Sequence, residues 1–285
     1  MLTTLNHWHL KGFVCYKKEL HLRLIVTNQN SMTDKLKTEG KFTYAEAGEG
    51  PAIIVLHGLM GALSNFGATF NHFSNKGYQV LIPELPLYTL PLIKTNVKNL
   101  AKYLKEFLEH KKIDNAILLG NSLGGHIALY FTKHYQEKVS ALVLTGSSGL
   151  YENAMGGSFP KRGNYEYIEQ KTKDVFYDPK VATKELVDDV YNIVNDRNSV
   201  IKTLAIAKSA IRHNMANDLP EMKQPTCLIW GKQDNVTPPE VANDFNKLLP
   251  DSNLFWIDKC GHAAMMERPE EFNKILEDWL VSRNI

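Results

Sequence analysis

The sequence predicts an α/β fold with a mainly parallel sheet that is flanked by helices and carries an inserted helical cap. Short apolar runs such as Ala52–Leu56 and Ala141–Thr145 alternate with helical patterns, as in a parallel sheet covered on both faces. From Leu150 to Lys223 such runs are replaced by helical patterns alone, and Thr226–Trp230 then restores the rhythm. We therefore expect a core domain over residues 39–149 and 224–285, with a cap (lid) insertion over residues 150–223.

The first 38 residues differ from the rest of the chain and are predicted to form an N-terminal extension. They mix Lys, His and Leu without the apolar segment and cleavage site of a secretory signal. One hypothesis is that they are dispensable, so that a chain starting at Met32 keeps full activity and stability. The alternative is an added strand or arm over Leu20–Thr27, which has some β-character.

The first half of the core is predicted to begin near Lys41 with an alternating edge strand. Buried strands follow, each bounded by turn residues or by a helical pattern. The strands expected in this half are Phe42–Ala47, Ala52–Leu56, Tyr78–Pro83, Asn115–Leu119 and Ala141–Thr145. Apolar residues at helical spacing predict a helix over about Thr95–His110.

The strand Asn115–Leu119 runs into a turn of small residues, Gly120-Asn121-Ser122-Leu123-Gly124, which opens a helix. This G-x-S-x-G pattern is typical of a nucleophile elbow, in which a strained backbone pushes the serine hydroxyl clear of the sheet. The N–H of Leu123 would then lie at the helix N-terminus, where it can stabilise negative charge on a substrate oxygen. The alternative is an ordinary glycine-rich turn, which only catalytic partners for Ser122 exclude.

The region after the fifth strand is predicted to be a helical cap that excludes water and shapes the substrate pocket. Its helices are expected over about Tyr165–Phe176, Pro179–Val194 and Ser199–Asn214. Asp178 and Asn198 precede the second and third of these and are candidate N-terminal caps.

Two strands of the second half are followed by residues that can serve acid–base chemistry. Asp234 follows Thr226–Trp230, and His262 follows Asn253–Ile257, before a last helix that opens at about Arg268–Phe272. Because the carboxyl ends of parallel strands share one edge of a sheet, we expect both residues beside Ser122.

Ser122, Asp234 and His262 together form a candidate catalytic triad. A serine hydroxyl is a poor nucleophile unless a base takes its proton, and a carboxylate must hold that base in the right tautomer. Two rivals stay open: Asp258 as the acid, four residues before His262, and Cys260 as a nucleophile. We expect both rivals to be structural.

From about Lys41 to the C-terminus, these motifs resemble the α/β-hydrolase superfamily. The motifs are His57-Gly58-Leu59-Met60-Gly61, Gly120-Asn121-Ser122-Leu123-Gly124-Gly125, Trp230-Gly231-Lys232-Gln233-Asp234, and Gly261-His262 with Glu267-Arg268-Pro269. The resemblance implies an oxyanion hole made by the N–H groups of Leu59 and Leu123, with His57 supporting that loop. Acyl transfer through such a triad needs no metal or organic cofactor. His126 is expected to be a packed or capping side chain.

Within that superfamily, serine at the elbow argues against the dehalogenases and epoxide hydrolases, which use aspartate there. The Gly-Asn-Ser elbow and the stretch Phe176–Val187 resemble the meta-cleavage carbon–carbon bond hydrolases. Those enzymes typically carry a cap arginine for a substrate carboxylate and a tryptophan after the histidine, whereas this chain has Val190 and Ala263. Hydroxynitrile lyases usually carry lysine where Ala263 stands. These departures favour a plain carboxylesterase.

The predicted function is therefore a serine hydrolase that cleaves small to medium uncharged carboxylic esters. The alternatives are a carbon–carbon bond hydrolase of the meta-cleavage type, a ligand-binding receptor of this fold, and an acyltransferase with little hydrolysis. An apolar pocket is expected from Met60, Met155, Phe159, Met265 and Met266, although several of these side chains could instead be core.

Composition excludes other classes of partner. Lys plus Arg number 33 against 31 for Asp plus Glu, and without a long basic run we expect no nucleic-acid partner. No apolar segment is long enough to cross a bilayer, so no membrane insertion is expected. Cys15, Cys227 and Cys260 lack metal-ligand spacing and suit a reducing compartment, which predicts a cytoplasmic protein without metal. A monomer or homodimer with a small-molecule ester substrate is the expected form.

Overall fold

The computed structural model describes residues 35–151 and 161–285. The predicted α/β-hydrolase fold is confirmed: one eight-stranded, mostly parallel sheet is flanked by helices. The hypotheses on a start at Met32 and on a strand at Leu20–Thr27 fall outside the described residues.

The sheet has one antiparallel edge and is otherwise parallel. Its strands are β1 (Leu36–Glu39), β2 (Phe42–Ala47), β3 (Ala52–Leu56), β4 (Gln79–Pro83), β5 (Ala116–Asn121), β6 (Val139–Thr145), β7 (Thr226–Gly231) and β8 (Ser252–Ile257). They lie in the order β1-β2-β4-β3-β5-β6-β7-β8. The β1–β2 and β2–β4 pairs are antiparallel, and every later pair is parallel.

Helices follow most strands. They are α1 (Gly67–Ser74), α2 (Val97–Lys111), α3 (Leu123–His134), α4 (Tyr165–Lys173), α5 (Lys184–Asn195), α6 (Arg197–Arg212), α7 (Pro239–Leu248), α8 (Ala264–Glu267) and α9 (Pro269–Ser282). Short 3-10 turns occur at Leu63–Phe66, Leu92–Lys94, Gln136–Lys138, Pro179–Val181 and Leu219–Glu221. Helices α4 to α6 lie between β6 and β7, within the stretch predicted to be the cap.

The two faces of the sheet bury separate apolar layers because successive strand residues point to opposite sides. In β7, Leu228 and Trp230 pack into the layer that contains α2 and α3. Cys227 and Ile229 pack into the layer that contains α1 and α9. Both layers are buried, which explains why the central strands are apolar along their whole length.

Strand register places the parallel strand ends at one level, where the site residues follow. Leu56 pairs with Gly120, and Asn121 pairs with Thr145. At the other side of the sheet, Gly231 pairs with Ile257. The loops after β3, β5, β7 and β8 therefore open onto the same edge.

The structure differs from the sequence prediction at several element ends. The sheet begins at Leu36 rather than near Lys41, because β1 is an exposed edge strand without an apolar pattern. Asp196 caps α6 by accepting from the Ser199 N–H at 2.7 Å, so Asn198 is not the cap. Asp178 caps the short turn Pro179–Val181, and α5 starts only at Lys184.

Candidate active site

Ser122 lies at the sharp turn between β5 and α3, in a backbone conformation that side chains rarely adopt. Its φ is 53° and its ψ is −119°. The Ser122 N–H donates to the Thr145 carbonyl at 3.2 Å, and the Ser122 carbonyl accepts from the N–H groups of His126 at 3.2 Å and Ser148 at 3.1 Å. The strain is thus held in place by backbone hydrogen bonds on both sides of the residue.

The glycines around Ser122 are required by close approach of strand and helix. A Cβ on Gly124 would lie 2.0 Å from the Leu56 carbonyl oxygen, and one on Gly120 would lie 2.4 Å from the Gly125 nitrogen. Both clashes are with backbone atoms, which cannot move aside independently. The G-x-S-x-G spacing is therefore a packing requirement of this turn.

His262 is held by Asp234. The Nδ1 of His262 lies 2.9 Å from Oδ2 and 3.2 Å from Oδ1 of Asp234, and both residues are buried. Because this nitrogen donates to the carboxylate, Nε2 is left as the acceptor in the neutral ring. That is the tautomer a general base needs.

The Asp234 carboxylate is itself fixed by residues that immediately follow it. Oδ1 accepts from the N–H groups of Val236 at 2.8 Å and Thr237 at 2.9 Å, and Oδ2 accepts from the Thr237 hydroxyl at 2.8 Å. Thr237 was not among the residues predicted from the sequence. A hydroxyl residue three positions after a candidate acid is the local signal that could have found it.

Asn121 joins the elbow to the histidine loop and was also missed. Its Nδ2 donates to the Thr145 carbonyl at 3.0 Å and to the His262 carbonyl at 3.3 Å. The second contact joins residues 141 positions apart in the sequence, so no local sequence pattern predicts it. Ser122 and His262 line one cavity, and Asn121 holds their backbones together.

The candidate oxyanion donors belong to two different loops at this edge. Leu123 is the first residue of α3, so its N–H has no acceptor within the helix. The other loop runs from His57 to Gly61 and is closed by the Gly61 N–H, which donates to the Gly58 carbonyl at 3.1 Å. Leu59, whose N–H is the second candidate donor, lines the cavity beside Ser122.

The His57 ring supports that loop from behind. Its Nδ1 donates to the Gly58 carbonyl at 3.0 Å, and its Nε2 accepts from the Leu85 N–H at 3.2 Å. Burial lowers the pKa of His57, which favours the neutral ring that can both donate and accept. Both ring nitrogens of His57 are thus occupied by backbone hydrogen bonds, and neither is left to act as a general base.

The two rivals, Asp258 and Cys260, and the additional histidine His126 have their contacts outside the candidate triad. Asp258 is exposed and accepts from Gln233 Nε2 at 3.3 Å, not from His262. Cys260 is fully buried, and burial raises the pKa of its thiol. His126 is buried, and its Nε2 donates to the His213 carbonyl at 2.8 Å. Burial lowers the pKa of His126 to about 4.

A cavity of about 1000 Å³ lies between the strand edge and helices α4 to α6, in the stretch predicted to be the cap. Its core side is lined by Gly58, Leu59, Met60, Asn121, Ser122, Asn235, Val236, His262, Ala263 and Met266. The apolar residues on its cap side are Val175, Phe176, Pro179, Leu186, Val190, Val194, Val200 and Leu204. Polar cap side chains, including Arg162, Gln170 and Lys171, also contribute.

The residues that were expected to line the pocket lie in different places. Met60 and Met266 line the cavity. Met265 is instead buried in the core layer of α1 and α9, because neighbours on a helix point in different directions. Met155 and Phe159 fall outside the described residues. Val190 and Ala263, where a cap arginine and a tryptophan were considered, both line the cavity.

The described residues hold no group of three or more His, Cys, Asp or Glu side chains that could bind a metal ion. Over the same residues, no helix is long and apolar enough to cross a membrane.

Known proteins show which family this chain resembles. A family model described as alpha/beta hydrolase fold matches residues 51–176 and 195–269. A solved alpha/beta hydrolase enzyme from the metagenome of sediments of the lagoon of Mar Chica, Morocco, is 59% identical. It has a TM-score of 0.74, and the match covers 88% of this chain and 99% of that one.

More distant relatives have named activities. The 2-hydroxy-6-oxo-6-phenylhexa-2,4-dienoate hydrolase of Comamonas testosteroni is 27% identical over 261 residues, which cover 84% of this chain and 91% of that protein. A solved meta-cleavage product hydrolase from Pseudomonas fluorescens is 21% identical with a TM-score of 0.73, covering 85% of this chain and 94% of that one. At 21% identity, the likeness to the Pseudomonas fluorescens structure shows the fold alone.

Proposed function

The chain belongs to the alpha/beta hydrolase family, and from this premise we propose that it is a serine hydrolase that cleaves small to medium uncharged carboxylic esters. One observation carries the proposal: the strained Ser122 and the Asp234-bound His262 open into one largely apolar cavity. Fold alone does not select a reaction, whereas the residues of this site limit the chemistry that the protein can perform.

The first chemical step is acylation. His262 Nε2 takes the proton of the Ser122 hydroxyl as Oγ attacks the ester carbonyl carbon. The carbonyl oxygen gains the negative charge and is stabilised by the N–H groups of Leu59 and Leu123. When the intermediate collapses, His262 gives its proton to the leaving alkoxide, and an alcohol departs.

The second step releases the acid. Water enters, His262 takes its proton, and the resulting hydroxide attacks the acyl carbon. The ester bond to Ser122 breaks, Oγ recovers the proton from His262, and the carboxylic acid leaves. Throughout, Asp234 keeps the histidine in the tautomer that accepts at Nε2 and stabilises the imidazolium.

The lining of the cavity supports an uncharged substrate. Val190 and Ala263 contribute apolar surface where an arginine and an aromatic ring would suit an anionic dienoate. Met60 and Met266 add flexible apolar side chains that adapt to different acyl groups. An ester with an alkyl or aryl acyl group fits this lining best.

A second candidate is carbon–carbon bond hydrolysis of a dienoate, as named for the Comamonas relative. Arg162 lines the cavity and forms no ion pair with any of the residues described in the structure. By contrast, Lys171 lies 3.5 Å from Asp174, and Lys173 lies 2.6 Å from Glu169. Arg162 is therefore the cation that could meet a substrate carboxylate.

Turnover of p-nitrophenyl esters from acetate to palmitate tests the proposal. We expect steady hydrolysis with an optimum at a short or medium acyl chain, abolished in Ser122→Ala without loss of the fold. Ser282→Ala is the matched control, because that hydroxyl donates to the Trp279 carbonyl at the end of α9 and makes no other hydrogen bond within the described part of the chain. Undiminished activity of Ser122→Ala would refute the scheme, and a single stoichiometric burst would indicate a ligand receptor.

The two candidates are separated by comparing these esters with 2-hydroxy-6-oxo-6-phenylhexa-2,4-dienoate. If the ester proposal is right, kcat/KM is higher for the neutral esters, and Arg162→Gln leaves it unchanged. Faster dienoate cleavage, together with a higher KM for the dienoate in Arg162→Gln, would favour the second candidate. Competing alcohols added to the ester assay would reveal acyl transfer.

A further inference from the structure

Glu267 is a carboxylate buried between the cap and the loop that carries His262. It ends the short helix α8 and is only 9% exposed. Its Oε2 accepts from the Gly261 N–H at 2.6 Å, and its Oε1 accepts from the Asp178 N–H at 2.5 Å. Because Gly261 directly precedes His262 and Asp178 follows α4, this one side chain bridges two separate segments.

The same two segments also touch directly. The His262 N–H donates to the Val175 carbonyl at 2.9 Å. A Cβ on Gly261 would lie 2.5 Å from the Val175 oxygen and 2.9 Å from the Phe176 Cα, so glycine is required for this approach. We call residues 175–178 the anchor segment of the cap. Val175, Phe176 and Tyr177 of this segment line the substrate cavity.

The backbone around His262 is thus held from three directions. Val175 binds its N–H, Asn121 donates to its carbonyl at 3.3 Å, and Glu267 binds the preceding N–H. Only the Glu267 contact comes from a side chain that also binds the cap. The imidazole, fixed separately by Asp234, takes its position from this backbone.

On this geometry, and resting on the proposed serine hydrolase function, we infer that Glu267 is a positioning residue that sets His262 against Ser122 by tying it to the anchor segment. The anchor segment is then a fixed wall of the site. A carboxylate suits this task because each of its oxygens accepts one backbone N–H. The amide of glutamine offers one acceptor only, and its NH₂ group would face the other N–H.

Glu267→Gln tests the inference. A base misplaced by a fraction of an ångström lowers the rate of chemistry more than substrate binding, so we expect kcat to fall about 10- to 100-fold with KM within about twofold. Glu277→Gln on α9 is the matched control. That carboxylate also binds two partners, His72 at 2.7 Å and Lys76 at 2.7 Å, and lies outside the cavity.

The rate at which a small phosphonofluoridate inactivates the enzyme measures how well His262 activates Ser122. Ser122 Oγ forms a bond to phosphorus, fluoride leaves, and His262 takes the hydroxyl proton. The reagent is too small to depend on the far wall of the cavity. We expect its rate of inactivation to fall by the same factor as kcat in Glu267→Gln and to be unchanged in Glu277→Gln.

Three results would overturn the inference. One is a raised KM with an unchanged inactivation rate, which would make Glu267 a cap support only. Another is wild-type behaviour in every assay. If Glu267→Gln fails to fold, Glu267→Asp is measured instead. Its carboxylate is on a side chain one methylene shorter and reaches only one N–H. A wild-type inactivation rate in Glu267→Asp is therefore the third result that would overturn the inference.

The test also separates this inference from the proposed function. Activity that survives in Ser122→Ala removes the serine mechanism itself. If Ser122→Ala is inactive while Glu267→Gln matches the wild type, only the positioning role of Glu267 is lost.

Discussion

Replacing Asp234 by asparagine tests the assignment of the acid, and the structure dictates how the new side chain would sit. Oδ1 of Asp234 faces two backbone donors, the N–H groups of Val236 and Thr237. The asparagine must therefore place its oxygen there and its NH₂ group toward His262. The Thr237 hydroxyl can rotate and accept from this NH₂ group.

This orientation reverses the hydrogen bond to the histidine. The asparagine NH₂ donates to His262 Nδ1, so the ring proton moves to Nε2, and Nε2 can no longer take the proton of Ser122. The loss of kcat seen when a triad aspartate becomes asparagine is about 10⁴-fold, or roughly 5 kcal/mol of transition-state stabilisation. We expect a loss of that order with the fold preserved, since the two backbone donors keep their acceptor.

The assay is steady-state hydrolysis of a short p-nitrophenyl ester, with thermal unfolding to check the fold. Asp258→Asn is the matched control because Asp258 is exposed and, among the residues that the structure describes, hydrogen-bonds only to Gln233 and to its own loop. We expect its kcat to stay within about twofold. A large loss in Asp258→Asn and a small one in Asp234→Asn would refute the reasoning and move the acid to Asp258.

Two further predictions concern stability. Gly124→Ala places a Cβ 2.0 Å from the Leu56 carbonyl oxygen, so we expect its free energy of unfolding in urea to fall by about 3 kcal/mol or more. Gly163→Ala, whose new Cβ meets no atom of the described residues within 4 Å, should change it by less than about 0.5 kcal/mol; equal effects would contradict the packing argument. His126 has a pKa of about 4 in the fold against 6.5 ordinarily, so its stabilising effect is complete above pH 6.5 and is lost as the pH falls toward 4. Between about pH 7.5 and about pH 5.5 the wild type should lose about 1.4 kcal/mol more than His126→Gln; identical pH slopes would refute this.

Much of the fold could be predicted because its signals are local. The apolar runs of β3, β5 and β7 are buried on both faces, and this alternation with helices indicates a parallel sheet without any knowledge of contacts. The exposed edge strand β1 has no such pattern and was missed. The end of α4 and the start of α5 were misplaced because the turn Pro179–Val181 interrupts a helical pattern.

The candidate site divides in the same way. Ser122, Asp234 and His262 could be predicted to lie together because each follows a predicted strand, and strand ends meet at one edge. Met265 and Met266 could not be told apart, since a helix of four residues is too short for its period to show which side faces the cavity.

The sequence by itself determined the chain order of the chemistry and the backbone it needs: a serine between glycines, an acid and a histidine at strand ends. These are short-range patterns. Glycine at position 124 itself indicates a close approach of backbone there, because a side chain at that position would clash. Only the tertiary structure decided which groups hold the backbone of the loop that carries the histidine. Glu267 meets Asp178 across 89 residues and Asn121 meets His262 across 141, and such pairs leave no periodic signal because each partner is chosen by the folded distance rather than by its neighbours in the chain.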